Sequence, residues 1–266
     1  ELAETIYNRL DKAGHIKTEV IEQLYDPQKE MFLPDRFVKG DCPDCGAEDQ
    51  YGDNCDVCGA TYAPTDLKNP KSVVSGAEPE LRKSEHYFFD LPAFGDMLKS
   101  WTRSGSLQNE MANKLNEWFE QGLQQWDISR DKPYFGFKIP GTEDKYFYVW
   151  LDAPIGYISA TKQWAKDNGK NWEDYWKDES TELVHFIGKD NIVFHCIIFP
   201  AMLQAHGDFI LPENVPANEF LNLEGQKLST SKNWAVWLHE YLEDFPEKQD
   251  VLRYTLTANA PENKDN

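Results

Sequence analysis

Apolar residues at the start of the chain return at four-residue steps, Leu2, Ile6 and Leu10, and stop before Gly14. This spacing predicts an amphipathic helix over residues 1–13. Ile16 to Tyr25 then reads as a strand, with Val20 and Ile21 β-branched and Asp26-Pro27 turning the chain. Residues 28–75 lose all periodicity and are rich in Gly, Pro, Asp and Asn, which predicts short ribbons rather than a large core. Between 84 and 104, Tyr87, Phe88, Phe89, Leu91, Phe94, Leu98 and Trp101 make a packed segment in which Pro92 is placed to open a helix. The clearest helical stripe is Met111, Leu115, Trp118, Phe119, Leu123 and Trp126. Such an aromatic stripe reads as core, ended by Asp127-Ile128-Ser129-Arg130 and barred from continuing by Pro133.

From about residue 134 strands and helices alternate. Tyr146–Leu151 and Leu183–Ile187 read as buried strands, and Phe220–Leu223 as a short third one. Residues 155–167 and Val193 to Ala205 read as helices. Ser231 is placed to cap a further helix through Trp234, Val236, Trp237 and Tyr241. This order predicts an α/β domain with a parallel sheet, whose ligands sit beyond the carboxyl ends of the strands.

Composition narrows the chemistry. Hydrophobic residues form 40 % and aromatics 14 % of 266 residues, enough for a core, so disorder is not the expectation. A formal net charge of −19 is poor for holding a phosphate backbone by bulk charge, so nucleic-acid contact has to be local. No apolar run approaches the ~20 residues of a membrane span and no signal peptide opens the chain.

Four of the five cysteines stand as Cys42-x-x-Cys45 and Cys55-x-x-Cys58, separated by nine residues. Two such turns can aim four sulfurs at one point, the S4 cage that suits a structural zinc. Gly46 and Gly59 follow the turns where a tight loop is needed. Two disulfides or an iron site are the alternatives. One free thiol besides metal-bound thiolates fits a reducing cytoplasm. Asp41, Asp44, Glu48, Asp49, Asp53 and Asp56 surround the cysteines with no Lys or Arg between 41 and 58, so a nucleic-acid finger is not expected.

At the predicted strand ends, Trp150, Ala153, Pro154 and Tyr157 offer an aromatic, apolar wall, for which ordinary packing is the competing reading. Gly188 would let a ligand approach the backbone and Asp190 could accept hydrogen bonds from a ribose, though a plain turn reads equally well. Gly225–Lys232 is a basic, hydroxyl-rich loop that could grip a phosphate, or simply cap a helix. No Gly-x-x-x-x-Gly-Lys-Ser/Thr, Gly-x-Gly-x-x-Gly or Gly-x-Ser-x-Gly stretch occurs. His195 and Cys196 are adjacent on a predicted helix and point about 100° apart, which argues against a Cys–His nucleophile pair.

The run Cys42–Thr61 resembles the zinc-binding insertion of methionyl-tRNA synthetases, which are class I aminoacyl-tRNA synthetases. Pro70–Gly76, Trp126–Asp131, Val149–Tyr157 and His185–Pro200 are similar to further segments of that family, so the resemblance spans essentially the whole chain. It implies a partial Rossmann-like catalytic domain, with 1–25 closing a first half, 26–130 a zinc-bearing connective insertion and 131–266 a second half. Trp150, Ala153, Pro154, Tyr157 and His195 are thereby implied to hold methionine, with His195 and Tyr157 able to hydrogen-bond its sulfur. Gly188, Asp190 and Leu221 are implied at ATP. Lys227, Ser229, Thr230 and Ser231 match the Lys-Met-Ser-Lys-Ser signature loop, and Arg130 matches an arginine near the amino-acid site.

The resemblance further implies a cytoplasmic methionine–tRNA ligase that uses ATP with Mg, charges tRNA(Met) and carries one structural zinc on Cys42, Cys45, Cys55 and Cys58. Thr230 stands where the signature has its second lysine, which leaves Lys227 or Lys232 to meet the phosphates. The family's His-Ile-Gly-His-type motif is not in these residues, so the resemblance also implies a truncated stretch, inactive alone. A leucine, isoleucine or valine synthetase, and a non-catalytic zinc-stapled binding module, are the competing readings.

Overall fold

The computed structural model describes every residue except Asp56, Thr61, Ser231, Lys232, Asn263 and Asn266. It divides into two compact units, one of residues 1–90 with 125–157, the other of 91–124 with 158–266.

In the first unit, helix α1 (Leu2–Lys12) buries Ala3, Ile6, Tyr7 and Leu10, the four-residue stripe read from the sequence. Gly14 ends it at φ +82°, a conformation that costs a residue with a Cβ. Strand β1 (Ile16–Asp26) follows and is flanked by β2 (Met31–Phe32). Along ten residues β1 pairs with an antiparallel partner, Glu80–Phe89, from Ile16 opposite Phe89 to Tyr25 opposite Glu80. That partner has no apolar alternation, because Glu80, Arg82, Lys83 and Glu85 face water; pairing with β1 rather than local pattern makes it a strand.

Between the two long strands lie β3 (Val38–Asp41), β4 (Gln50–Tyr51) and β5 (Lys68–Ser72), a small antiparallel sheet in the order β4-β3-β5. Among the described residues its core is Leu24, Leu33, Val38 and Leu67, with Tyr62 packed against them. Asp26 is buried where this sheet meets β1. It accepts hydrogen bonds from the amides of Gln28 and Lys29 and from the Ser75 hydroxyl. With Glu80–Phe89 as β6, the unit is completed by β7 (Trp126–Asp127), paired to β6, and by the antiparallel hairpin of β8 (Ser129–Asp131) and β9 (Lys145–Phe147).

The expected strand Tyr146–Leu151 is therefore cut short at Phe147. Helix α4 (Val149–Asp167) starts there, six residues before the expected start, and carries Pro154 inside it. Pro154 has no N–H to give to the Trp150 carbonyl, yet it sits near enough to the helix start for the turn to tolerate the loss.

The second unit holds α2 (Gly95–Thr102) and α3 (Asn109–Gln121). Gly122, at φ +83°, ends α3 before Leu123 and Trp126, so the last two positions of the expected stripe leave the helix and Trp126 joins β7 of the other unit. Residues 194–206 form the very apolar helix that was expected. A wide π turn, Phe194–Ile198, leads into α5 (Phe199–His206). Pro200 cannot donate to the Cys196 carbonyl, which accounts for the loosened turn before it.

Parallel pairing among the described residues is confined to β10 (Ile187–Gly188) with β11 (Ala217–Asn218) and a bridge between Val184 and Asn214. The expected strand Leu183–Ile187 is thus realised mainly at its end. The third expected strand becomes a hairpin of β12 (Asn222–Leu223) and β13 (Gln226–Lys227). Helices α6 (Leu238–Asp244) and α7 (Gln249–Ala258) close the chain. No helix is long and apolar enough to cross a membrane among the described residues.

Candidate functional site

The cysteine turns are built alike. Cys42 and Cys55 each receive an amide bond across the turn, from Gly46 to the Cys42 carbonyl at 3.0 Å and from Gly59 to the Cys55 carbonyl at 2.9 Å. Gly46 and Gly59 both sit at φ +75°. All five cysteines are free thiols, so neither disulfide pairing is formed. The sulfurs of Cys42, Cys45, Cys55 and Cys58 lie within 4.8 Å of one another, with Cys42–Cys58 at 3.8 Å and Cys45–Cys55 at 3.7 Å. A tetrahedron with ~2.3 Å metal–sulfur bonds has edges of about 3.8 Å, so this donor set matches a tetrahedral thiolate site. Amides of Cys58 and Val57 point at the Cys55 sulfur and lower its pKa to about 7, against burial, which favours the thiolate a metal needs.

Arg130, on β8, donates to the Ser129 carbonyl at 2.7 Å and lies 3.5 Å from Asp127 Oδ2, with its guanidinium carbon 3.8 Å above the Tyr148 ring. With Asp127 and Asp131 it lines a cavity of about 260 Å³ that also takes in Gln23, Asp35, Asp53 and Tyr62. The Tyr62 hydroxyl and Asp53 Oδ1 are buried without a hydrogen-bond partner among the described residues. Behind this wall stands a residue that the sequence reading passed over. His86 is fully buried, with Nδ1 2.8 Å from Asp127 and Nε2 2.8 Å from Asp131. Apart from its place in a poorly patterned strand, nothing in the sequence marked it.

Trp150, Ala153, Pro154 and Tyr157 were expected at a strand end. They occupy the first turns of α4 instead, where their i, i+3, i+4, i+7 spacing puts them on one side of a helix. Trp150 is half-buried, Pro154 buried, and Ala153 and Tyr157 exposed. Burial raises the pKa of Asp152 on the same turns.

In the second unit, His195 is buried on the π turn with Nδ1 3.1 Å from the Asn191 carbonyl, and burial holds its pKa below that of an ordinary imidazole. A Cβ on Gly188 would come within 2.7 Å of Asp190 Oδ1, so the bare glycine leaves room for that carboxylate at the end of β10. Lys189, next to it, pairs with Glu219 and with Asp265, and its ammonium is 4.3 Å from the Phe220 ring centre. Lys227 lies over the same ring at 3.6 Å. Its strand is in register with Asn222, beside the half-buried Leu221. Gly188, Asp190, Leu221 and Lys227 are thus brought to one end of this unit, around Phe220.

The signature loop does not run straight into a helix. Ser229 and Trp234 exchange two backbone hydrogen bonds, 2.8 and 2.9 Å, and Asn233 donates to the Thr230 carbonyl, so the loop closes on itself with Thr230 exposed. Helix α6 begins only at Leu238, with Trp237 at its N-cap position and no side-chain capping bond. Trp234 is held in the bridge, and Val236 and Trp237 also precede the helix. Ser231 and Lys232 lie outside the described residues.

The model for the family described as "tRNA synthetases class I (M)" matches residues 1–266, the whole chain. The chain belongs to this class I tRNA synthetase family. Methionine–tRNA ligases of Christiangramia forsetii and Flavobacterium johnsoniae are each 57% identical over an alignment of 271 positions that covers 100% of this chain. The alignment covers 39% and 37% of those two ligases, so the chain spans well under half the length of these curated relatives. Among solved structures, the Mycobacterium tuberculosis methionyl-tRNA synthetase bound by methionyl-adenylate matches 99% of this chain and 46% of its own, at 23% identity and a TM-score of 0.67. A second structure of that enzyme with methionyl-adenylate gives 24% identity and a TM-score of 0.68. These likenesses establish the class I synthetase fold, mixed α/β with a cysteine knuckle.

Proposed function

We propose that the protein is a methionine–tRNA ligase, which joins methionine to ATP as methionyl-adenylate, releases pyrophosphate and then charges tRNA(Met). The observation that carries this reading is 57% identity, over an alignment that covers the whole chain, to ligases of that name. In this reading residues 1–25 close the first half of the catalytic domain, 26–130 form an insertion stapled by one zinc on Cys42, Cys45, Cys55 and Cys58, and 131–266 belong to the second half. The closed four-thiolate shell leaves no open position for substrate, so the metal stabilises the insertion and does not act on the reaction.

Trp150, Ala153, Pro154 and Tyr157 on α4 supply apolar and aromatic surface suited to a thioether, and His195 serves the same amino acid. In this reading His195 and the Tyr157 hydroxyl hydrogen-bond the sulfur. Gly188, Asp190 and Leu221 serve the nucleoside of ATP. Lys227, Ser229, Thr230 and Ser231 meet its phosphates with Mg, and Arg130 acts near the amino-acid carboxylate. With threonine at 230, Lys227 supplies the positive charge, leaving the Phe220 ring to do so. The reading also carries a cytoplasmic location.

The test is pyrophosphate exchange into ATP by the full-length protein, with methionine, leucine, isoleucine and valine offered separately. Methionine alone is expected to drive exchange. Exchange driven by another of the four, or by none, refutes the assignment.

A further inference from the structure

The buried histidine of the first unit has an unusual set of neighbours. His86 has no exposed surface, and each ring nitrogen faces a carboxylate oxygen at 2.8 Å: Nδ1 faces Asp127 Oδ2 and Nε2 faces Asp131 Oδ2. Gln23 Oε1 lies 3.1 Å from Nε2 as well. A neutral imidazole carries a single N–H, so one nitrogen would set its lone pair against a carboxylate lone pair. Only the imidazolium donates to both sides.

Both aspartates accept hydrogen bonds from other donors as well. Asp127 Oδ1 accepts from the Ser129 amide at 2.9 Å and the Ser129 hydroxyl at 3.0 Å. Asp131 accepts from the Ser84 hydroxyl at 3.0 Å and pairs with Lys145 at 2.5 Å. Burial would raise the Asp131 pKa, but the bonds from His86 and Lys145 outweigh it and hold it low. For His86, burial favours the neutral ring and the two carboxylates outweigh that, leaving its pKa raised. Around the ring, β1 presents Gln23 and the exposed Glu19 opposite His86, β6 presents Ser84, β7 Asp127, β8 Arg130 and Asp131, and β9 Lys145.

One atom connects this clamp to Arg130. Asp127 Oδ2, the oxygen that accepts the hydrogen bond from His86 Nδ1, is also the oxygen 3.5 Å from Arg130 Nη1. Ser129 pins the other oxygen of the same carboxylate, and the Tyr148 ring supports the guanidinium from one face. We propose that His86 is a positioning residue, an imidazolium clamp that fixes Asp127 and through it sets Arg130 for the amino-acid substrate. This rests on the reading of Arg130 given above and extends it to a residue that touches no substrate.

The experiment is a double-mutant cycle in the full-length protein, read by methionine-dependent pyrophosphate exchange. His86→Gln keeps much of the side-chain size but loses the charge and the second ring donor. It is expected to raise the KM for methionine about tenfold, equivalent to about 1.4 kcal/mol, with the KM for ATP unchanged within about twofold. In an Arg130→Ala background the same substitution is expected to add less than about twofold, because its effect passes through Arg130. Equal effects in both backgrounds, or a loss confined to the melting temperature, would overturn the proposal. Should His86→Gln fail to fold, nitrogen-15 histidine spectra of the wild-type protein still decide. A buried ring with both nitrogens still protonated above pH 6.5, the ordinary imidazole value, is expected, and no such ring overturns the clamp. A wild-type protein without methionine-dependent exchange would instead refute the proposed function, whereas an active wild type with an unaffected His86→Gln variant refutes only the clamp.

Discussion

The ribbons around the cysteines have a core of four aliphatic side chains, and that poverty makes a quantitative prediction about the metal. Val38 is fully buried among Leu24, Leu33 and Leu67. Val38→Ala removes two methyl groups. At ~0.8 kcal/mol each, with a small cavity left behind, the loss is about 2 kcal/mol. If this sheet folds only when its four thiolates are joined by metal, the binding free energy contains the folding free energy, and the whole loss appears as weaker metal binding. Two kcal/mol is then a drop of roughly thirtyfold in zinc affinity. The assay is a competition titration of the full-length protein, wild type and Val38→Ala, against a chromogenic chelator at fixed pH. A change of less than about twofold would show a knuckle already folded without metal, and the staple argument would fail.

Two further predictions follow from single contacts. Gly188→Ala keeps an accessible backbone conformation but drives a Cβ to 2.7 Å from Asp190 Oδ1. The carboxylate has to swing away, and steady-state kinetics should show the KM for ATP raised several-fold with methionine unaffected; an unchanged ATP KM would remove Asp190 from the ribose. Burial works to raise the Asp26 pKa, but hydrogen bonds from Ser72, Ser75, Lys29 and Gln28 outweigh it and lower the value from 3.8 to about 2. Its stabilising contribution is therefore present above pH 3.8 and lost as pH falls through about 2. An acid titration followed by tyrosine fluorescence should lose that step in Asp26→Asn, and an identical profile in the variant would contradict it.

The sequence was readable where chemistry depends on spacing. The two cysteine turns, the α1 stripe and the apolar helix ending at His206 are all present. The α4 start was hidden because Tyr146–Leu151 is aromatic and apolar enough to read as a strand, while Pro154 is tolerated inside the helix only because it stands near its start. The β6 strand was hidden because its order comes from a partner more than fifty residues away, opposite β1, and not from its own alternation. His86 could not be found for a related reason. Gln23, Asp127 and Asp131 reach it from other strands, and a charged cluster assembled by pairing leaves no local motif. The signature loop was legible as residues but not as geometry, since the Ser229–Trp234 bridge delays the helix to Leu238.

The proposed activity stands or falls on which amino acid the full-length protein activates. The most direct measurement offers the full-length protein ATP, Mg and an equimolar mixture of the twenty amino acids, then identifies the enzyme-bound aminoacyl-adenylate by mass spectrometry. Methionyl-adenylate is predicted as the dominant species. An adenylate of leucine, isoleucine or valine, or no adenylate at all, would contradict the account.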